Sequence, residues 1–523
     1  MKKRLSLLLS VVILFALVAG ACSAAPEASG DGSAATAPEA SGEKKIKQDV
    51  VVAIRQDFQS LDPCGSYSGV DMAIRYCLYD SLLKLDENMQ IVPGLAESYE
   101  WVDGTTLRLT LREGVKFHNG DTMTAEDVMF SLQRAQGSSF SGGNLNSVNF
   151  EKSSIVDEKT IELVLNEVYA PLLSSLADPY SANITSKKYV EENGGDISNC
   201  PMGTGPFKFV AHHAGDRIEM ETNAEYWDGP AQFKTLTFRI ITDNNTRAIE
   251  VESGGVDVAC RVAASDVLRM KEEDSAVVVP TYTTSIGFLS ANCVKAPFDN
   301  KLVRQAVMYA IDRTAINQTV YRGINPNMES VLAHTVAAYS DELPKYERDV
   351  EKAKALLAEA GLANGFDCSL NVAEDNSLVT MAEMIKNQLA EVGINVSINV
   401  YDAATLNSKQ HAGDFDLAYG TWGTSNGDPD SSTYPCFHSS RKDSSGYFYA
   451  NPEVDKWLEA GRSALTDEER NAAYKEVQLI LNEDMPWIYI HDLVEFDAIS
   501  KNVEGYVSTP LMFVDYSNVV VYE

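Results

Sequence analysis

WVDGTTLRLTLREGVKFHNGDTMTAEDV, residues 101–128, carries two different hydrophobic periods in one short stretch. Leu107, Leu109 and Leu111 alternate with polar residues, so Thr106–Leu111 reads as a strand with one apolar face. Thr124 then stands before Ala125 with Asp127 three positions on. That spacing lets cap and N3 side chains satisfy each other's backbone donors, and it predicts a helix over 125–135. A strand that turns into an amphipathic helix points to an α/β fold.

The flanking sequence repeats the alternation. Asp49–Ile54 is a short β-branched strand, and 236–241 is strand-like after the turn Asp228-Gly229-Pro230. Val303, Ala306, Val307, Ala310 and Ile311 share one helix face. Ala353, Leu356, Leu357 and Ala360 do the same, with Gly361 as a C-cap. A helix is expected over 381–392, ended by Gly393 and followed by the strand Ile394–Tyr401. A buried strand over 415–420 should feed a polar loop, with helices again over 452–465 and 467–483. A chain of 523 residues exceeds what one hydrophobic core serves, so at least two lobes are expected.

The start of the chain reads as an export signal. Lys2, Lys3 and Arg4 precede an apolar run over 5–18, short for a bilayer span, and then Ala19-Gly20-Ala21-Cys22. Residues 1–22 are therefore expected to be a lipoprotein signal peptide. Its end resembles a lipobox, with Cys22 as the acylated residue and Ala19 where leucine is usual. Residues 23–48 are rich in Ala, Ser, Gly, Pro and Glu and repeat APEASG at 25–30 and 37–42, the composition of a disordered linker.

Charge and metal-ligating residues narrow the function. Lys and Arg number 43 against 75 Asp and Glu, a net charge of −32 that disfavours nucleic-acid partners. The eight cysteines show no CxxC pair, and the seven histidines no H-x-x-x-H pair, so no metal site or cofactor is expected. Gly203-Thr-Gly-Pro lacks the third glycine of a dinucleotide loop.

A series of short motifs carries a family resemblance. Trp101-Val-Asp-Gly-Thr-Thr106 and residues 111–128 come first, then Gly203-Thr-Gly-Pro-Phe207 and Val303-Arg-Gln-Ala306 with Ala310-Ile-Asp-Arg313. Residues 353–361, Asp414-Phe-Asp-Leu417, Gly427-Asp-Pro429 and Glu469-Arg470 follow in order. Over about residues 50–505 the chain resembles extracellular solute-binding family 5, the peptide- and nickel-binding group. The resemblance implies a two-lobed, periplasmic-binding-protein-like fold of type II, enlarged as in cluster C, with a hinge between lobes. Lobe I would comprise 49–290 plus 494–523, with an inserted subdomain around 80–200, and lobe II 291–493. It also implies a monomeric, lipid-anchored, extracytoplasmic (or periplasmic) component of an ABC importer. Such a protein captures peptides in the inter-lobe cleft and delivers them to the permease subunits.

The candidate site centres on residues 419–430, YGTWGTSNGDPD, a strand running into a Gly/Asn/Asp-rich loop that can aim hydroxyl and backbone groups into a cleft. Tyr419, Thr421, Trp422, Thr424, Ser425, Asn426 and Asp428 are the expected ligand contacts there. By family position Ser66 and Tyr67 would face the same cleft from lobe I. Dipeptide-binding members of the family hold the ligand's amino group on an aspartate three residues after the tryptophan; this chain has Ser425 there. Those members often meet the ligand carboxylate with an arginine upstream of the helix at Met381, and no arginine lies between Gly365 and Met381. Both departures point away from a zwitterionic dipeptide and toward a longer peptide held by main-chain bonds. One alternative is a nickel or other metal–chelate ligand, with His438 near the cleft loop. Another is a secreted serine hydrolase, since Gly423-Thr-Ser-Asn-Gly427 fits G-x-S-x-G. That elbow needs an immediate helix, and turn residues are expected after Ser425 instead.

Overall fold

Two long strands, Val277–Ala291 and Trp487–Ile499, pair antiparallel and organise the molecule. In this computed structural model, which describes residues 44–66, 68–140 and 142–523, Lys45–Glu523 forms one compact unit. The two strands sit at the centre of a ten-stranded sheet. On one side of the pair lie Leu417–Gly423, Phe366–Ala373 and Ile394–Tyr401; on the other lie Val258–Ala259, Asp49–Ile54, Thr235–Ile240, Arg217–Thr222 and Phe207–His213. Their ladder is broken midway. Val277–Tyr282 pair with Val494–Ile499, and Ile286–Ser290 with Trp487–Asp492, with register shifts between Tyr282 and Ile286 and between Gly287 and Phe288. Each half of the pair thus belongs to a different lobe, and both lobes mix strands with covering helices.

One lobe is packed on Phe288, Trp487 and Phe437. Phe288 stacks on Trp487 with ring centroids 3.7 Å apart, and Phe437 meets Trp487 edge-on. The helix Lys301–Ala310 buries Val303, Ala306, Val307 and Ala310 against this core, the face its spacing predicts. The helix expected over 381–392 spans Asn376–Ala390, because Asp375 caps it by accepting from the Ser377 and Leu378 amides. Its first turn is polar, and periodicity alone shows only the buried Met381, Ala382, Ile385 and Leu389.

The other lobe has several cores, two of which position the site. Val50, Val52, Ile54, Phe207, Leu236 and Phe238 form one. The second holds a separate four-stranded antiparallel sheet, ordered Ala96–Asp103, Thr106–Leu111, Thr160–Val164, Ser154–Ile155, with the helix Ala125–Gln136 packed on it. Leu107, Leu109 and Leu111 face this core, and Thr124 and Asp127 complete the capping box. Arg134 at the far end of the helix makes a bidentate pair with Asp62, at 2.6 and 2.5 Å. Buried Asp80 ties the pieces together by accepting from Thr204, Tyr226 and Trp227, each at 2.9 Å.

Gly203 and Gly205 are there for close approach. A Cβ on Gly203 would sit 2.0 Å from the Leu78 carbonyl oxygen, and one on Gly205 2.5 Å from the Leu78 carbonyl carbon. The motif is a backbone crossing against the end of the helix Gly69–Leu78. The folded body begins before Asp49. Lys47 donates its amide to Val521 and its ammonium to Asp257, and Ile46 bridges to Tyr522. The expected signal peptide, Cys22 and the expected linker up to residue 43 lie outside the described residues. No disulfide joins Cys64, Cys77, Cys200, Cys260, Cys293, Cys368 and Cys436 among the described residues. No helix among the described residues is long and apolar enough to cross a membrane.

Candidate functional site

The strand Leu417–Gly423 reaches the break between the lobes and hands the chain to a tight polar loop. Asn426 shapes this loop: its side-chain oxygen accepts from the Asp428 amide and from the Thr424 and Ser431 hydroxyls. Asp428 then caps the helix Pro429–Phe437 by accepting from the Asp430 amide, with proline at the first turn. The helix after Ser425 was not expected. Asp-Pro-Asp reads as a turn in sequence, yet proline at a helix start gives up an amide that has no intrahelical partner.

The loop and helix dock on the four-stranded subdomain of the other lobe. Ser425 donates to Asp178 at 3.1 Å, and Ser174 to Asp428 at 2.8 Å. Tyr169 donates to Asp430 at 3.4 Å, while the Ala170 amide donates to the Arg462 carbonyl at 2.7 Å. The Arg462 guanidinium pairs with Asp430 at 3.1 Å and lies 3.6 Å over the Tyr434 ring. Arg470 pairs with Asp428 at 2.6 Å. Burial pushes the Asp178 carboxyl up to about 7, against the pull of the Tyr180 amide and the Ser425, Asn144 and Ser181 side chains. Burial also raises Asp430, to about 6, opposed by Arg462.

Between the lobes is a cavity of about 650 Å³. Thr421, Trp422, Ser425, Asn426 and Asp428 line it on one side; Asn144, Asn146, Tyr169 and Ser175 line it on the other. Through Ser285, Gly423 and Ser425 it continues into a smaller space of about 180 Å³, walled by Tyr180, Arg261, Thr284 and Phe513. Trp422 is half-buried, donates its indole N–H to Ser432 at 3.0 Å, and meets Tyr447 edge-on. Thr421 is exposed to the cavity.

Among the described residues, the remaining expected contacts do not line the larger cavity. Tyr419 is buried in its lobe's core, with its hydroxyl 3.2 Å from His491. Thr424 is buried, lines only the smaller space, and its carbonyl accepts from Thr284. Ser66 is buried, with its hydroxyl held between Asp71 and Arg75. Tyr67 lies outside the described residues. His438 stacks on Tyr434 and bonds Ser440 and Glu459; it does not line the cavity. Among the described residues no group of three His, Cys, Asp or Glu could hold a metal ion. Sequence reading missed Tyr169, Ser174 and Asp178, which approach from about 250 positions away in sequence. It also missed the role of Arg470, although Gly427-Asp-Pro429 and Glu469-Arg470 had both stood out and turn out to touch.

Comparisons with known proteins agree with this architecture. The model for bacterial extracellular solute-binding proteins, family 5 (middle), matches residues 90–444. Heme-binding protein A of Haemophilus influenzae is 31% identical over 463 residues, covering 83% of this chain and 85% of that protein. The glutathione-binding protein GsiB of Escherichia coli is 30% identical over 475 residues, covering 88% and 92%. Among solved structures, HbpA2 from Haemophilus parasuis superposes with a TM-score of 0.81 at 26% identity, covering 91% of this chain and 100% of that one. The periplasmic binding protein DppA from Helicobacter pylori, in complex with the peptide STSA, gives 0.78 at 26% identity, covering 92% and 99%. The two-lobed α/β architecture is thus a known one, and the chain belongs to the bacterial extracellular solute-binding proteins of family 5.

Proposed function

We propose that this protein is the extracytoplasmic, monomeric binding component of an ABC importer, held at the membrane through Cys22, and that it captures a peptide between its lobes for delivery to the permease. The observation that carries this reading is the inter-lobe cavity of about 650 Å³, closed over by polar contacts between lobes and walled largely by uncharged hydrogen-bonding side chains. Such a wall suits a peptide main chain, which offers one donor and one acceptor per residue. The STSA complex of the related DppA supports the same ligand class. Lobe I is taken as 49–290 with 494–523 and lobe II as 291–493; the ladder break at 283–285, opposite Leu493, supports a hinge beside the second boundary, while the packing of Ile286, Phe288 and Leu289 with lobe II favours moving the first boundary back to the break. A hinge on two strands lets the lobes part without unfolding either core.

The cleft traps its ligand without reacting with it. Ser425 donates to Asp178, and no histidine lines either cavity among the described residues, so the G-x-S-x-G match stands without the imidazole base of a Ser-His-Asp triad. Calorimetry with defined peptide libraries and with a nickel–histidine mixture tests the ligand class. Peptide binding with a flat nickel–histidine titration supports it; the reverse replaces it with metal–chelate uptake. Stoichiometric labelling of Ser425 by a serine-directed activity probe would overturn the non-enzyme reading. Mass spectrometry of the N-terminal peptide from membranes checks for diacylglycerol on Cys22.

A further inference from the structure

The charges on the cleft walls do not balance. Asp428, Asp430, Arg441 and Arg462 line the larger cavity, and Arg261 lines the smaller one. Asp428 is neutralised by Arg470 and Asp430 by Arg462. Two guanidinium groups are left. Arg441, exposed on the short turn after the helix Pro429–Phe437, has no carboxylate partner among the described residues. Arg261 has none within ion-pair distance either; its guanidinium touches the Met512 sulfur at 3.3 Å. Glu495 and Asp497 stand behind Arg261 in a neighbouring crevice. Asp497 is already occupied by the Arg261 amide and the Tyr506 hydroxyl, and burial raises both carboxyls against the pull of the Arg261 charge. In a protein of net charge −32, the two cleft charges without a contact ion pair are both positive, Arg261 being offset only at longer range by Glu495 and Asp497. No unpaired carboxylate remains there to hold an ammonium group: Asp178, which takes Ser425, is closed in by Asn144 and the Tyr180 amide.

We infer that the cleft selects a peptide bearing two separated carboxylates, one received by Arg441 in the larger cavity and one by Arg261 in the smaller, with no requirement for a free amino group. The inference rests on the peptide reading above and narrows it. Trp422 and the hydroxyls of Thr421, Ser285 and Ser425 lie along the path between the two arginines and serve the uncharged middle of the ligand. Guanidinium suits this task because its planar fork can grip a carboxylate at two points.

The test is calorimetry on the purified protein with matched tri- to pentapeptide libraries, all N-acetylated. One set carries a free C-terminal carboxylate and one glutamate; the other carries a C-terminal amide and glutamine. The acidic set is expected to bind at least about tenfold more tightly, with the advantage shrinking as salt rises. Arg441→Gln and Arg261→Gln should each lose about tenfold on the acidic set and leave the amidated set unchanged, while Arg261→Lys retains part of the loss. Equal affinity for both sets, or an unchanged response in Arg441→Gln, overturns the inference and leaves the peptide reading standing. Binding by neither set overturns the inference, and the same libraries with free N-termini then decide the peptide reading: binding keeps it, none overturns it too. Should Arg261→Gln fail to fold by circular dichroism, the exposed Arg441 variant and the salt dependence still decide the matter.

Discussion

Single side chains in this protein divide sharply between those that hold the backbone in place and those left facing the cleft. Trp422 does some of each: its N–H is satisfied by Ser432 and its ring half-exposed to the cavity. Trp422→Ala should weaken peptide binding by about 2 kcal/mol, since a partly buried aromatic wall is the usual anchor of a binding site. Calorimetry on the variant checks this, and an unchanged affinity would remove Trp422 from the site. Gly205 is wholly structural. Alanine there would drive a methyl group onto the Leu78 backbone, which cannot swing aside like a side chain, so Gly205→Ala should cost about 2 kcal/mol or more in urea unfolding. Glycine in a sequence announces a special backbone position, but it does not say what approaches it. Gly203-Thr-Gly-Pro could be recognised as a motif from the chain alone, while its reason, the end of a helix more than 120 positions earlier, could not.

Among secondary-structure elements, period decided what could be read. The strands Asp49–Ile54, Thr106–Leu111 and Ile394–Tyr401 fall on their sequence-derived ends, because apolar alternation and flanking turn residues mark both boundaries. Helix faces were legible, and so were the starts at Ala125, Pro452 and Asp467, but two starts were not: Asn376–Ala390 opens on a polar turn held by an Asp375 cap, and Pro429–Phe437 hides behind Asp-Pro-Asp. One side of the cleft could be read for the same reason, as a strand running into a loop. The opposing wall consists of isolated polar residues in and around the six-residue helix Leu172–Ala177, too short to give a periodic signal. Asp428 joins three of these elements, capping its own helix while bonding Ser174 and Arg470. Asp428→Ala should therefore destabilise the protein by about 3–5 kcal/mol, because it removes a cap and strands a largely buried guanidinium. Chemical denaturation measures the loss. A second substitution, Arg470→Met, should recover part of it, and a strictly additive double variant would mean that the pair does not act as a unit.

For the molecule as a whole, the hinge and the lobe interface couple ligand capture to protonation. Asp178 sits fully buried where the lobes meet, and burial raises its carboxyl from 3.8 to about 7. Parting the lobes takes away the Ser425 cover and admits water, which returns the group toward its ordinary value. Between those two values the closed form holds a proton that the open form releases, so closure takes up a proton and weakens as pH rises. Below about pH 3.8 the opposing contribution vanishes, and above about pH 7 it is complete. Asp430 at about 6 acts in the same direction across the same interface, moderated by Arg462. Peptide affinity should therefore fall between about pH 4 and about pH 7 and level off above it, by up to about tenfold per pH unit where a single proton is exchanged. Asp178→Asn keeps an acceptor for Ser425 but cannot ionise, so it should flatten most of that slope and leave affinity at low pH close to the parent value. Titrations of parent and variant across this range, with small-angle scattering to follow the closed fraction, separate the two forms. A parent affinity independent of pH would mean that Asp178 keeps its proton, or its water, in both positions of the hinge.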